Sequence, residues 1–529
     1  MGALIRKLSK YLAYAAAAAV MLLALLVGVA RLLLPLVPDY QEDIRAWASQ
    51  ATGFDVQFEF ISASWPIAGP EIRFLDVTIR SPDDLQPIFV ADSLNIGVSV
   101  VRLLRDRQVT VSRVGIENIN VVLLQTDARE FLIQGRPLAD FLPERDPDDP
   151  LELPEIDIQL RDVGVAYRNL GRDDAIMDFR VDSIDLRLRE TGVAADGEIQ
   201  LPVRFGERAT LSLDLPIEVL RGALTEAADD APTDSVDWSM YVSGEALKMA
   251  ELLEYGLDMP TPVAAMNGNL VIWAEFLGRE PTGVTAELDF SDAEFRTEAA
   301  NSDQYEAISG RVEWARAGGG WVLAGSDMNL RRVGLFAPRT EFSVTSKSAG
   351  GDGRQLLASV DFMRLEDWYP IVRAFVSEDL RRDTLPASVN GDISDFRLDA
   401  RWISAAEREF DVEIRFEDIG VVGLPAGEGL TGVSGTVVAD EAGGRLQLDS
   451  EQAALTMPKL FAVPLAADAL EGFLVWRATP DGVRVLSDNI SVRIPIGEAS
   501  SRFELTLPSN GESPFLDLTA TAQVNSAPG

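Results

Sequence analysis

The chain has 529 residues, 47% of them apolar, and a net charge of −37 with 84 acidic side chains. Apolar content this high excludes a disordered protein, and the charge argues strongly against nucleic acid and against electrostatic docking of the protein on anionic lipid headgroups. Cysteine and histidine are both absent, which removes disulfides, zinc and most transition-metal sites, and Ser-His or Cys-His nucleophile pairs.

Arg6, Lys7 and Lys10 precede an apolar run from Tyr11 to Ala30, followed by Arg31 and a second apolar patch, Leu32 to Val37. Twenty uncharged helical residues at ~1.5 Å rise span a bilayer core of ~30 Å. Pro35 and Pro38 end the span. The basic residues lie before the span, so residues 1–10 are expected to be cytoplasmic, 11–37 a signal anchor, and roughly 490 residues to lie beyond it. Cleavage after Gly28-Val29-Ala30 is the rival reading, and the length of the apolar run favours the uncleaved anchor. No later run is long enough for a second span.

Asp39 to Gln50 reads as a short amphipathic helix with Ile44 and Trp47 on one face, and Trp47 is a candidate for the membrane interface together with Arg6, Lys7, Lys10 and Arg31. Packing of Trp47 on the first strands is the equal alternative. Phe54, Val56, Phe58 and Phe60 then alternate with Asp55, Gln57 and Glu59, predicting a strand with one apolar face. Further strands are expected over Glu71–Arg80, Ile88–Val100, Val109–Val114 and Ile116–Leu124, with one or two helical turns at Ser99–Arg105.

Ala51-Thr52-Gly53-Phe54-Asp55-Val56, Ser62-Ala63-Ser64-Trp65, Gly69-Pro70, the run Ser93 to Arg105 and Val111 to Val122 follow one another in an order that resembles the YhdP branch of the AsmA-like proteins. The match covers about residues 10 to 135, so 38–135 is read as that family's membrane-proximal module. The resemblance implies a repeating β-groove and carriage of phospholipid between the membranes of a Gram-negative envelope. The implied partners are phospholipid, the inner membrane, and the outer membrane or a further envelope protein. No cofactor and no enzymatic activity are implied. Branch members are much longer, so the resemblance also suggests a shortened member, a split protein or a piece of a longer one.

Residues 136–157 carry the acidic segment Asp146-Pro147-Asp148-Asp149-Pro150, read as a loop or linker. It lacks the central Gly and terminal Glu of an EF-hand loop. From 158 to 529 alternating strands recur. The clearest place Ile184, Leu186 and Leu188, then Phe410, Val412, Ile414 and Phe416, then Phe503, Leu505 and Leu507 on apolar faces. Helices are expected only at Ile217–Ala228, Glu245–Tyr255 and Leu365–Val376, too few to cover so much sheet.

Gly268 to Trp273, Gly310 to Trp314 and Gly472 to Trp476 share a Gly-x-Leu/Val core with a Trp near the fifth position, and Gly435 to Ala439 is a fainter copy. Each of the last three leads into a Gly-containing turn and a return strand, so the unit is a β-hairpin. Spacings of 42 residues (Gly268 to Gly310), 44 (Gly391 to Gly435) and 37 (Gly435 to Gly472) suggest a propeller or an open meander. The absence of a Trp-Asp register and the inserted helices favour the meander. Gly427-Glu428-Gly429-Leu430-Thr431-Gly432 matches a nucleotide-binding pattern by letters, but a strand follows it rather than a helix.

The expected fold is therefore mainly β: one N-terminal transmembrane helix and an elongated, curled antiparallel sheet, with a set of β-sandwiches as the alternative. At ~4.8 Å per strand, about thirty strands would extend somewhat over 100 Å. The candidate groove residues are Phe54, Val56, Phe58, Phe60, Ile184, Leu186, Leu188, Phe410, Val412, Ile414, Phe416, Phe503, Leu505 and Leu507, holding lipid tails without catalysis. The competing reading is an anchored periplasmic scaffold or assembly factor for outer-membrane biogenesis.

Overall fold

A computed structural model describes residues 38, 40–52, 54–65, 69–80, 87–99, 110–126, 130–137, 153–172, 176–224, 236–257, 261–298, 301–332, 334–335, 338–348, 353–377, 381, 384–402, 408–424, 427–459, 461, 463–509 and 513–524, together with Met21, Gly28, Arg102 and Arg105. The expected anchor over 11–37, its flanking Arg6, Lys7, Lys10 and Arg31, and most of the acidic segment lie outside the described residues. No helix among the described residues is long and apolar enough to cross a membrane. The chain divides into two compact units, the first holding residues 1–203, 207–242 and 277–279 and the second 204–206, 243–276 and 280–529.

In the first unit, helix α1 (Gln41–Thr52) is followed by β1 (Asp55–Gln57), β2 (Phe60–Ser64), β3 (Glu71–Arg80), β4 (Pro87–Val98), β5 (Val111–Gln125), β6 (Phe131–Ile133), β7 (Arg136–Pro137), β8 (Ile156–Asn169), β9 (Met177–Arg189), β10 (Gly192–Gln200) and β11 (Arg208–Pro216). Helix α2 (Ile217–Leu224) follows, and β12 (Asp237–Lys248) begins in this unit and ends in the second. β1 and β2 both pair with β3, and the ladder runs on through β4, β5, β8, β9, β10 and β11. The expectation of purely antiparallel sheet needs one correction: β5 and β8 run parallel. The connection between them holds β6, β7 and the acidic segment, which gives the chain the length to return to the starting end of β5.

The second unit holds α3 (Met249–Leu257), β13 (Val263–Leu277), β14 (Glu280–Glu298), β15 (Asn301–Ala317), β16 (Gly320–Arg332), β17 (Thr340–Ser348) and β18 (Arg354–Arg364). After α4 (Leu365–Phe375) come β19 (Ser388–Trp402), β20 (Arg408–Val422), β21 (Gly429–Asp440), β22 (Gly443–Glu451), β23 (Ala454–Thr456), β24 (Leu465–Ala466), β25 (Ala469–Thr479), β26 (Gly482–Ile494), β27 (Gly497–Pro508) and β28 (Phe515–Val524). From β14 to β22 each strand pairs antiparallel with the next, and β25 to β28 continue from β22. Among the described residues no pairing returns β28 to β14, so this ladder is an open meander rather than a propeller. The repeated hairpins are β15–β16, β21–β22 and β25–β26. Their leading Gly is required by close approach: at Gly310, with φ +147°, a Cβ would meet Met328 Sδ at 2.5 Å, and at Gly472 it would meet Asn489 O at 2.4 Å.

The strands share a device that the sequence reading did not separate out. Asp76, Asn118, Asp162, Asp292, Asp327, Asp395 and Asp418 all sit inside long strands with φ between +50° and +53°. A left-handed residue in a strand is a bulge that shifts the side-chain alternation by one. Apolar side chains on one face then stand three apart instead of two: Phe74 and Val77, Ile116 and Ile119, Leu160 and Val163, Phe290 and Ala293, Phe416 and Ile419. The local pattern is apolar-x-Asp/Asn-apolar, and Asp and Asn are the side-chain-bearing residues that tolerate this conformation best.

This bulge corrects the first predicted strand. Residues 54–60 form not one strand but β1 and β2, both on β3, which carries the bulge at Asp76. Opposite the bulge the buried positions become Phe58 (3% exposed) and Ile61 (5%), and Phe60 is turned outward at 59% exposure. Val109–Val114 and Ile116–Leu124 are likewise one strand, β5, with its bulge at Asn118. Glu245 to Lys248 complete β12, so α3 starts at Met249.

Asp76→Val should lower the unfolding free energy by about 1–2 kcal/mol and Asp76→Gly by no more than about 0.5 kcal/mol, because a β-branched residue resists positive φ. Denaturant titration of the two variants checks the ordering.

Candidate functional site

Following the second unit's register across strands gives one continuous row of small and apolar residues. It runs Val284–Trp314–Leu323–Val344–Ala358–Leu398–Val412–Ala439–Gly444–Trp476–Val485–Leu505–Leu516, one residue from each of thirteen strands. Parallel rows add Phe342–Val360–Phe396 and Ile414–Val437–Leu446–Leu474. At ~4.8 Å per strand the long row traverses roughly 60 Å of sheet. The opposite face presents Arg397 to Glu413 at 3.6 Å, Arg311 to Glu287 at 3.3 Å and Arg484 to Glu504 at 3.2 Å, all solvent-exposed pairs.

The apolar row is half-exposed along most of its length, with Ala439 buried (8%) and Leu516 at 53%. The same face of the same strands is sealed three rows further along. Phe290, Ile308 and Leu330 are 4%, 6% and 3% exposed, in a core completed by Ala374 and backed by Met249, Ala250 and Leu253 of α3 and Trp368 and Ile371 of α4. What separates the two regions is a roof. Where α3 and α4 cover the sheet its apolar face is closed, and elsewhere on the long row it stays open.

The predicted residues divide along this line. Phe410, Val412, Ile414 and Phe416 project from β20 onto the apolar face, as do Phe503, Leu505 and Leu507 from β27, with Phe410 and Leu507 at 38% and 39% exposure. In the first unit Ile184, Leu186 and Leu188 belong to corresponding rows, for example Ala63–Ile72–Ile96–Val114–Ile158–Leu186–Ala195–Leu213. The N-terminal set is placed differently. Val56 and Phe58 are enclosed in a core with Ile61, Phe74, Val77 and Ile44 of α1, and Phe58 meets Phe74 edge-on at 5.0 Å. Phe54 precedes β1 and is half-buried, and Phe60 points away from that core. Trp47 falls in α1 with its side chain outside the described set.

The sequence reading missed Leu323, Val344, Ala358 and Leu398, which lie in strands of less regular alternation. The signal that would have found them is register rather than period: Leu323 stands opposite Trp314 and Leu398 opposite Val412, and Val344 and Ala358 link the two. Trp314 and Trp476 of the repeat both stand on the long row.

The roof is fastened by polar contacts at the start of α4. Tyr305 Oη donates to Asp367 O at 2.6 Å, Arg332 reaches Glu366 O at 2.9 Å and Asp303 at 3.0 Å, and Glu366 accepts from Gly391 N at 3.0 Å. Asp367 is 4% exposed, and burial pushes its carboxyl up to about 6, against the opposing pull of Arg364. A carboxyl raised in the folded state gives stability that is present below its unfolded value near 4 and is lost as pH rises through about 6. Asp367→Asn should therefore gain on the wild type by up to about 3 kcal/mol between pH 4 and pH 7. Paired denaturation curves at the two pH values measure that difference.

Neither the curated proteins nor the solved structures contain a match to this chain. A family model described as YhdP protein matches residues 1–528, all but the final residue. With its mainly β strand content and its open antiparallel meander, the chain belongs to the YhdP family.

Proposed function

We propose that the open rows are the bed for phospholipid acyl chains, and that the protein carries lipid along them without chemistry. The observation that carries this reading is the thirteen-strand apolar row left half-exposed beside a region where the same face is roofed. An uncovered apolar face of this length is costly in water, and each CH₂ removed from water on it is worth ~0.8 kcal/mol. Successive positions on the row are chemically alike, so a tail exchanges one for the next with little net change in free energy. That permits movement without nucleotide hydrolysis, its direction set by concentration or by partners. Family membership supports the same reading, because the YhdP family suggests a lipid-transport role.

In this proposal residues 11–37 anchor the chain in the inner membrane of a Gram-negative envelope, with the bulk periplasmic. Lipid passes from there toward the outer membrane or a further envelope protein. Phe410, Val412, Ile414, Phe416, Phe503, Leu505 and Leu507, with Ile184, Leu186 and Leu188, face the tails. The opposite face, with its exposed arginine–carboxylate pairs, stays in water.

A photo-crosslinking residue at Leu398 or Leu505 should label co-purifying phospholipid, and at Glu413 or Glu504 it should not. Equal labelling of the two faces, or labelling of neither, would contradict the proposal.

A further inference from the structure

The apolar bed ends on one side in a chemically different border. Reading outward along the same face from the long row, the next positions are Arg316, Trp321, Ser346, Leu356, Ala400 and Phe410, and the last are Ser348, Arg354, Trp402 and Arg408. Over two rows the face changes from wholly apolar to arginine, tryptophan and serine. A cleft of about 710 Å³ opens at this end of β15 to β18, lined by Trp314, Arg316, Trp321, Ser346, Lys347 and Arg354 among others. Because Trp314 belongs to the long row, the cleft is continuous with the bed.

Arg311, Arg397, Arg401 and Arg484 each meet a carboxylate, as does Arg316 at Glu280. Among the described residues Arg354 and Arg408, which share the last row with Trp402, meet none. Two guanidinium groups on one face without a carboxylate beside them are open to an anionic ligand. Guanidinium and ammonium groups with serine hydroxyls are the donors that take a phosphate, and indoles favour the level where lipid headgroups meet tails.

The geometry points to a binding site for the phosphate of a lipid headgroup at this border, with the acyl chains of the same lipid lying on the adjoining rows. The inference rests on the lipid-bed reading above and adds to it the place and charge of the headgroup. The dimensions agree. From Arg354 to Val360 along β18 is about 20 Å at ~3.4 Å per residue, enough for a tail that fills half of a ~30 Å bilayer core. Arg354 and Arg408, on either side of Trp402 in the last row, would hold the phosphate.

The test uses the full chain in detergent, titrated with fluorescent phosphatidylglycerol and with diacylglycerol bearing the same acyl chains and fluorophore. The expected result is about tenfold tighter binding of phosphatidylglycerol. Arg354→Gln with Arg408→Gln should abolish that preference and leave diacylglycerol binding as in the wild type, which also reports that the variant is folded. Arg354→Lys should retain part of it. Equal binding of the two lipids by the wild type, or a preference that survives the double substitution, would overturn the headgroup site while leaving the lipid bed in place. Failure of both lipids to bind would remove the bed and the site together. Binding of sn-glycerol 3-phosphate as tight as that of phosphatidylglycerol would show a free-phosphate site and overturn the lipid assignment.

Discussion

An apolar sheet face must be covered by something, and how this protein covers its own governs everything else described. On the second unit's ladder, α3 and α4 seal the rows at Phe290, Ile308 and Leu330, fixed by Tyr305, Arg332 and Glu366. Among the described residues no helix covers the row from Val284 to Leu516, although it is no less apolar. Two regions of one face, built by the same strands, thus have different fates. The difference comes from a single inserted helix after β18 together with the helix after β12.

The backbone makes room for this arrangement through its bulges. A strand of fifteen residues or more with perfect alternation would tend to run straight and twist evenly. One left-handed Asp or Asn within each of several strands shifts the alternation by one residue, so the apolar face persists on both sides while the strand bends. At Asp292, Phe290 and Ala293 both enter the roofed core, and at Asp418, Phe416 and Ile419 keep to one face. The many carboxylates of the opposite face form exposed pairs with arginine, each worth little individually. Their value is collective, in keeping the wet side in water.

Much of this was legible in residue order. The strand Glu71–Arg80 was located to the residue even though the bulge at Asp76 breaks its alternation. Period-two alternation placed Ile184, Leu186, Leu188, Phe410 to Phe416 and Phe503 to Leu507 on apolar faces, because those stretches carry no bulge. Leu365–Val376 was readable as a helix because Glu366 and Asp367 open it ahead of an apolar run. Phe60 was misplaced because the bulge that turns it outward lies in a different strand, at Asp76, and no single-strand pattern contains it. The parallel pairing of β5 with β8 was hidden for a similar reason, since direction depends on where the chain goes between them. Ala358 and Leu398 became visible as parts of a bed only once register set them beside Val344 and Val412.

The central claim is that acyl chains occupy the open row, and fluorescence quenching by tails tests it most directly. Variants retaining only Trp314, only Trp476 or only Trp238 would be loaded with phospholipid brominated on its acyl chains. Trp314 and Trp476 stand on the row, whereas the Trp238 indole donates to Gly278 O at 2.7 Å in the other unit. Strong quenching of Trp314 and Trp476 with little of Trp238 is the predicted result. Unquenched emission from Trp314 and Trp476 under conditions where the lipid is bound would contradict the account.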